Sequence, residues 1–133
     1  MIDPENAVYT TVATAVRTEH SGAKVSGELN LNPAEFPAVY IEMSDCYPYT
    51  QGADGSTYEN FCVAVFEVNI YSAKTNGRKS EAKAILHTVD TAFSGIGFQR
   101  TAAVPMNGND ATKYRIVARY EAVVSKDFTV YRR

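Results

Sequence analysis

The strongest constraint on the fold is an apolar segment, FCVAVFEVNIY, at residues 61–71. In its second half Phe66, Val68 and Ile70 alternate with other side chains, which is the period of a β-strand. Its first half is apolar on both faces, which is typical of a strand in the centre of a sheet. We therefore predict a sheet built around this strand.

A helix is predicted directly after this strand, beyond a short turn in the sequence SAKTNG. Thr75 or Asn76 is expected to cap the start of the helix. Gly95 stands just past its end, where a left-handed cap is expected. The apolar positions repeat at helical spacing and so share one face; they are Ala82, Ile85, Leu86, Val89 and Phe93.

The remaining elements are marked less strongly. Asp3 and Pro4 favour a helix start, and valines four residues apart extend an apolar face to about residue 18. Residues 23–36 are left without a predicted element, because Pro33 and Pro37 argue against a long regular one. Alternating or apolar patterns predict strands at residues 38–43, 96–104 and 113–124.

The element order α-β-β-α-β-β predicts an α+β fold. It corresponds to one domain, residues 1–133, with a mixed or antiparallel sheet of about four strands and two helices on one face. A chain of 133 residues can bury a core of this kind without a disulfide or a metal ion. The second face of the sheet is then left for water or for partner subunits.

The connection at residues 44–60 is aperiodic and longer than usual, which is typical of a functional or disordered loop. Three tyrosines lie in or beside it: Tyr47, Tyr49 and Tyr58. Tyrosine is enriched at protein interfaces, because it offers a large contact area with a polar tip. Two interpretations stay open, a loop packed on its own domain and a loop that contacts a subunit or partner. Residues 125–133 are predicted to form a C-terminal tail.

Charge is divided unevenly along the chain. Residues 1–70 contain two basic and ten acidic side chains, whereas residues 71–133 contain eleven basic and five acidic ones. The two halves either interleave in one domain, so that the charges mix, or they leave one acidic and one basic flank. The second arrangement would allow copies to dock head to tail.

The segment YSAKTNGRKSEAKAIL joins a predicted strand to a predicted helix, as a phosphate-binding loop does. That motif requires two glycines, with a lysine directly after the second. Here Ser72 stands at the first glycine position, and Arg78 separates Gly77 from Lys79. We therefore predict a strand-to-helix turn and no bound nucleotide or other cofactor.

Catalytic and metal-binding patterns are also missing from the sequence. His87 and Asp90 could touch on one helix, and Cys46 could meet His20 only through the tertiary fold. Two histidines and two scattered cysteines lack the close pairing of zinc ligands. The sequence predicts no enzyme, no metal site and no membrane span. A pI of about 5.7 argues against a dedicated nucleic-acid binder.

Element order and pattern together resemble the tail terminator, or tail completion, proteins of tailed phages and their prophages. The resemblance covers most of residues 4–124 and is strongest over residues 60–124. It rests on a short N-terminal helix, a strand, a tyrosine-bearing connection and four further segments: FCVAVFEVNIYSAK, GRKSEAKAILHTVDTAF, GIGFQRTAAVPM and KYRIVARYEAVV.

The resemblance implies a structural virion assembly protein that forms a ring, typically a hexamer. The ring would cap the tail tube and take part in head-tail joining, with the tail tube protein and the head-tail connector as partners. DNA would pass through it without specific binding. The protein would reside in the virion tail or neck, and in the host cytoplasm during assembly. The alternatives are another neck component, such as a head-closure or adaptor protein, and a small cytosolic enzyme.

The implied assembly role predicts contacts made by exposed aromatic and charged residues. We expect nine of them to contact a subunit or partner: Tyr47, Tyr49, Asp54, Tyr58, Lys74, Arg78, Lys79, Arg115 and Arg119.

Overall fold

The computed structural model describes residues 3–29, 33, 35–48, 61–106, 112–125 and 130–131. Two helices and six strands lie in this part of the chain, and the predicted α+β class and its element order are confirmed. In chain order the elements are α1 (Glu5–Glu19), β1 (Lys24–Ser26), β2 (Ala38–Pro48), β3 (Phe61–Ser72), α2 (Arg78–Gly95), β4 (Gln99–Pro105), β5 (Tyr114–Ser125) and β6 (Val130–Tyr131).

The strands form one mixed sheet in the order β1-β2-β3-β5-β4, and β6 also pairs with β5. Strand β1 is parallel to β2, and the other pairs are antiparallel. The strand β3 therefore lies at the centre of the sheet, as its apolar first half predicts.

The sheet is larger than the predicted four strands. Strand β1 forms within residues 23–36, for which no element is predicted, because Pro33 and Pro37 come after the strand. The Lys24 N–H donates to the Pro37 carbonyl at 2.9 Å. Strand β2 extends to Pro48, so the first five residues of the predicted connection are strand. The rest of that connection, residues 49–60, lies outside the described residues. The predicted tail contains β6.

Both helices pack on one face of the sheet, as expected, and form a single apolar core with it. Helix α1 contributes Val8, Val12 and Val16, and α2 contributes the face that includes Ile85 and Phe93. The sheet contributes alternate residues of its three long strands: Val39, Ile41, Cys62, Ala64, Phe66, Val68, Ile70, Ile116, Ala118, Tyr120, Ala122 and Val124.

The start of α2 differs from the prediction, because neither Thr75 nor Asn76 caps it. Gly77 occupies the cap position with a φ of 85° and no side-chain cap. This left-handed conformation is readily adopted by glycine and permits the sharp turn out of β3. The Ser72 hydroxyl, at the end of β3, instead donates to Glu81 Oε1 at 2.6 Å and so ties the first helical turn to the sheet.

The end of α2 also lies further along the chain than expected. Gly95 is its last helical residue, and the left-handed position is taken by Gly97, with a φ of 93°. The Phe98 N–H donates to the Phe93 carbonyl at 2.9 Å, and the Gly97 N–H donates to the Ser94 carbonyl at 3.1 Å. These two bonds form a Schellman motif, which leads the chain directly into β4.

Candidate functional site

The sheet face opposite the helices, here called the outer face, is organised by strand register into rows of side chains. One row runs Glu42, Glu67, Arg119 and Ala102 across β2, β3, β5 and β4. The next row runs Asp45, Val65, Glu121 and Gln99. These two rows bring four carboxylates together with one guanidinium, although Glu42, Asp45 and Glu67 are far from Arg119 in the sequence.

Tyrosine and valine side chains are buried at the two ends of the outer face, whereas its middle rows include exposed charged side chains. Tyr40 and Tyr71 are 8% and 5% exposed at one end, and their rings meet edge to face at 5.9 Å. Val63 and Val123 are buried at the other end. Glu42 and Asp45 are exposed between these ends. The charged middle of the outer face is therefore accessible.

We define the acidic belt as Glu42, Asp45, Glu67 and Glu121, the four carboxylates of the two middle rows. Arg119 lies within the belt and forms an ion pair with Glu67 at 3.3 Å. Glu42 lies directly opposite Glu67, a like-charge arrangement that destabilises a strand pair. Neither Glu42 nor Asp45 forms an ion pair with another residue in the part of the chain that the structure describes.

Arg115 is held by its neighbours on the outer face. Its Nη2 and Nε atoms donate to Asn69 Oδ1 at 2.6 and 3.1 Å. Its guanidinium lies 5.2 Å from the centre of the Tyr71 ring, within the range of a cation–π contact. Asn69 is 3% exposed, so these contacts satisfy a buried amide oxygen, while its Nδ2 donates to Glu67 Oε1 at 3.4 Å.

A second charged surface lies on the helix side. We define the basic cluster as Lys74, Arg78, Lys79 and Lys83, at the turn before α2 and on its first two turns. The three lysines are exposed, whereas Arg78 is half-buried and donates to the carbonyls of Lys74 and Thr75 at 3.3 Å each. No member of the basic cluster forms an ion pair within the described residues.

Six of the nine predicted contact residues lie on these two sides of the protein. Lys74, Arg78 and Lys79 belong to the basic cluster on the helix side. Arg115, Arg119 and Tyr47 lie on the outer face, where Tyr47 is 42% exposed near the end of β2. Three others lie outside the described residues: Tyr49, Asp54 and Tyr58.

The contact residues predicted from the sequence include neither Glu42 nor Asp45. A signal for Glu42 was available, because the alternation in AVYIEM places it opposite the apolar face of the strand. Asp45 gave no such signal, because β2 shifts its register between Met43 and Asp45 and so turns Asp45 to the same face as Glu42.

A polar pocket of about 360 Å³ lies at the end of α2 and the start of β4. Asp90 accepts hydrogen bonds there from Tyr120 Oη at 3.1 Å and from Arg100 Nη1 at 3.2 Å. His87 is exposed on the same helix. Asp90 therefore accepts hydrogen bonds from Tyr120 and Arg100, and its described contacts do not include His87.

The second pairing considered from the sequence, Cys46 with His20, is replaced by other contacts. His20 Nε2 is 2.9 Å from Thr88 Oγ1, and Cys46 Sγ is 3.0 Å from Cys62 Sγ. Within the described residues, no group of three or more His, Cys, Asp or Glu side chains could hold a metal ion. None of the described helices has the length and apolar character needed to cross a membrane.

The hydroxyl of Tyr120 should make the stability of the protein sensitive to alkaline pH. Burial raises the pKa of Tyr120 far above its ordinary value of 10.0, and the Asp90 carboxylate raises this pKa further. Above about pH 10 the unfolded chain therefore loses a proton that the folded chain keeps. We expect the free energy of unfolding to fall there by up to about 1.4 kcal/mol per pH unit through this residue.

Urea unfolding of the wild type and of Tyr120→Phe, at several values from neutral to alkaline pH, measures this effect. The variant should lose less stability than the wild type as the pH rises. Burial also raises the pKa of Tyr40 and of Tyr71, so only the difference between the two proteins reports on Tyr120. Identical pH profiles would contradict the prediction.

No protein-family model matches the sequence, and no curated protein matches it. The fold matches a virion protein. A chain titled "Virion of native gene transfer agent (GTA) particle" aligns with a TM-score of 0.61 and 16% identity, over 88% of this chain and 93% of that chain.

Two further solved chains align over a similar length. One has a TM-score of 0.53 and 13% identity, over 87% of this chain and 90% of that chain. The bacteriophage SPP1 gp17 protein aligns with a TM-score of 0.42 and 15% identity, over 87% of this chain and 88% of its own. The virion match confirms, at the level of the fold, the resemblance drawn from the element order.

Proposed function

We propose that the protein is a structural component of a phage-like virion, and specifically a tail terminator that caps the tail tube as a ring. The observation that supports this most is the fold match to a gene transfer agent virion chain, which spans nearly the full length of both chains. The element order of the sequence independently resembles the tail terminator family.

The arrangement of charge is consistent with a ring. The acidic belt and the basic cluster belong to opposite layers of the fold, so that one copy could contact two neighbours through different surfaces. Such heterologous contacts generate closed rings when the rotation between copies closes. We propose a hexamer in the virion tail or neck that contacts the tail tube protein and the head-tail connector, and we propose no enzymatic activity for it.

The proposal can be tested with the purified protein and the tail tube protein of the same particle. We expect negative-stain images to show a ring at one end of each tube, and light scattering to show that tube growth stops. Because only tube ends are bound, far fewer copies of this protein than of tube protein should suffice. Growth of tubes to an unchanged length, with no added density at their ends, would refute the tail terminator role.

The same experiment separates the tail terminator from its nearest alternative. A head-closure or adaptor protein should bind the head-tail connector and leave tube growth unaffected. Binding to immobilised connector and to immobilised tube protein, measured in parallel, therefore distinguishes the two neck positions.

A further inference from the structure

We propose that the acidic belt of one copy binds the basic cluster of the next copy, so that copies associate head to tail. This inference rests on the proposed function, because it names the surfaces through which the proposed ring forms. The occupant of the outer face is then a second copy of this chain, held by lysine and arginine side chains at the start of its α2.

The first observation is the excess of negative charge on the exposed middle of the outer face. Arg119 is 56% exposed and already pairs with Glu67, which leaves the carboxylates of Glu42 and Asp45 without a cation among the described residues. The opposition of Glu42 to Glu67 across β2 and β3 is unfavourable in an isolated copy. A cation from outside the copy would relieve this repulsion.

The second observation is that apolar side chains flank the acidic belt on the same face. Val104 lies opposite Val117 next to the belt, and it is 51% exposed. Met106, two residues further along, is also 51% exposed, and its N–H continues the ladder to the Arg115 carbonyl at 2.8 Å. A lysine can cover such apolar surface with its methylene stem while its ammonium group reaches a carboxylate.

The third observation is the matching excess of positive charge on the helix side. Lys79 and Lys83 lie four residues apart on α2 and are exposed together. Ala82 and Ile85, on the helix face that packs on the sheet, are fully buried. The two lysines lie outside that buried face, and they are accessible to a neighbouring copy.

The two surfaces cannot satisfy each other within one copy, because the sheet lies between them. Contact between copies brings Glu42 and Asp45 together with the basic cluster, and the described residues of one copy offer neither group an ion-pair partner. Individual exposed ion pairs contribute little, so the association should depend on several pairs acting together. It should also weaken as salt is added, because screening acts strongly on exposed charges.

Charge reversal tests the pairing. One variant carries Glu42→Lys and Asp45→Lys, and the other carries Lys79→Glu and Lys83→Glu. At low ionic strength we expect the wild type to form oligomers in sedimentation velocity runs, and each variant alone to associate at least about tenfold more weakly. An equimolar mixture of the two variants should recover oligomers, because every contact between unlike copies again joins opposite charges.

Matched controls keep the charge and change only the length or the head group of the side chain. These are Glu42→Asp with Asp45→Glu, and Lys79→Arg with Lys83→Arg, and both should associate like the wild type. Circular dichroism of each protein verifies its fold. Absence of oligomers in the wild type at low ionic strength, full association of either reversed variant alone, or no recovery in the mixture would each overturn the inference.

The tube-growth experiment separates this inference from the proposed function. Reversed variants that still associate normally and still stop tube growth would overturn the inference and leave the tail terminator role intact. Association that follows the charges in a protein that never stops tube growth would overturn that role and support the head-to-tail contact.

Discussion

Replacement of Phe93 by alanine is expected to lower the free energy of unfolding by about 3–5 kcal/mol. Phe93 lies on α2 and is fully buried. Its ring stacks on Tyr120 with centroids 4.2 Å apart and meets Phe98 and Phe66 at 5.4 and 5.8 Å. The substitution removes the ring on which α2, β3 and β5 converge and leaves a cavity that the surrounding strands can fill only in part.

Urea unfolding followed by circular dichroism measures this loss, and Leu86→Ala on the same helix is the control. Leu86 is only half-buried at the edge of the core, so its removal leaves no closed cavity and should cost clearly less. Equal losses for the two variants would show that α2 does not pack on the sheet as described.

The second large effect is expected from the pair Asn69 and Arg115. A double-mutant cycle with Asn69→Ala and Arg115→Ala should give a coupling energy of about 1.5–3 kcal/mol, the range for hydrogen bonds to charged groups. The two bonds, at 2.6 and 3.1 Å, join β3 to β5 and involve an amide that is almost completely buried.

The control cycle uses the ion pair between Lys24 and Glu35. Its atoms are 3.2 Å apart, but both side chains are 64% exposed, so water and salt screen the attraction. The coupling energy there should stay below about 1 kcal/mol. A coupling at Asn69 and Arg115 no larger than in this control would mean that the buried amide finds another partner when the arginine is removed.

Much of the fold could be predicted from side-chain periodicity. The alternation of Phe66, Val68 and Ile70 and the helical spacing of Ile85, Val89 and Phe93 each identify one buried face, because burial repeats with the period of the element. The predicted position of β3 at the sheet centre and of both helices on one face follows from these patterns.

The predictions that failed depend on local geometry that has no period. Neither Thr75 nor Asn76 caps α2, because the left-handed conformation of Gly77 and the bond between Ser72 and Glu81 replace a side-chain cap. The left-handed cap lies at Gly97 rather than Gly95, because two backbone bonds of the Schellman motif decide where the helix ends. The short strand β1 forms because a neighbouring strand offers it hydrogen bonds.

The sequence by itself determined which faces of the long strands and helices form the core, and that acids predominate in one half of the chain and bases in the other. Only the tertiary structure decided which surfaces these charged side chains occupy. Strand register places Glu42 beside Glu67 and Asp45 in the row of Glu121, while the packing of α2 directs Lys79 and Lys83 to the opposite side. Register and helix packing arise from contacts between distant segments, and for that reason a charge count along the chain could not locate the two surfaces.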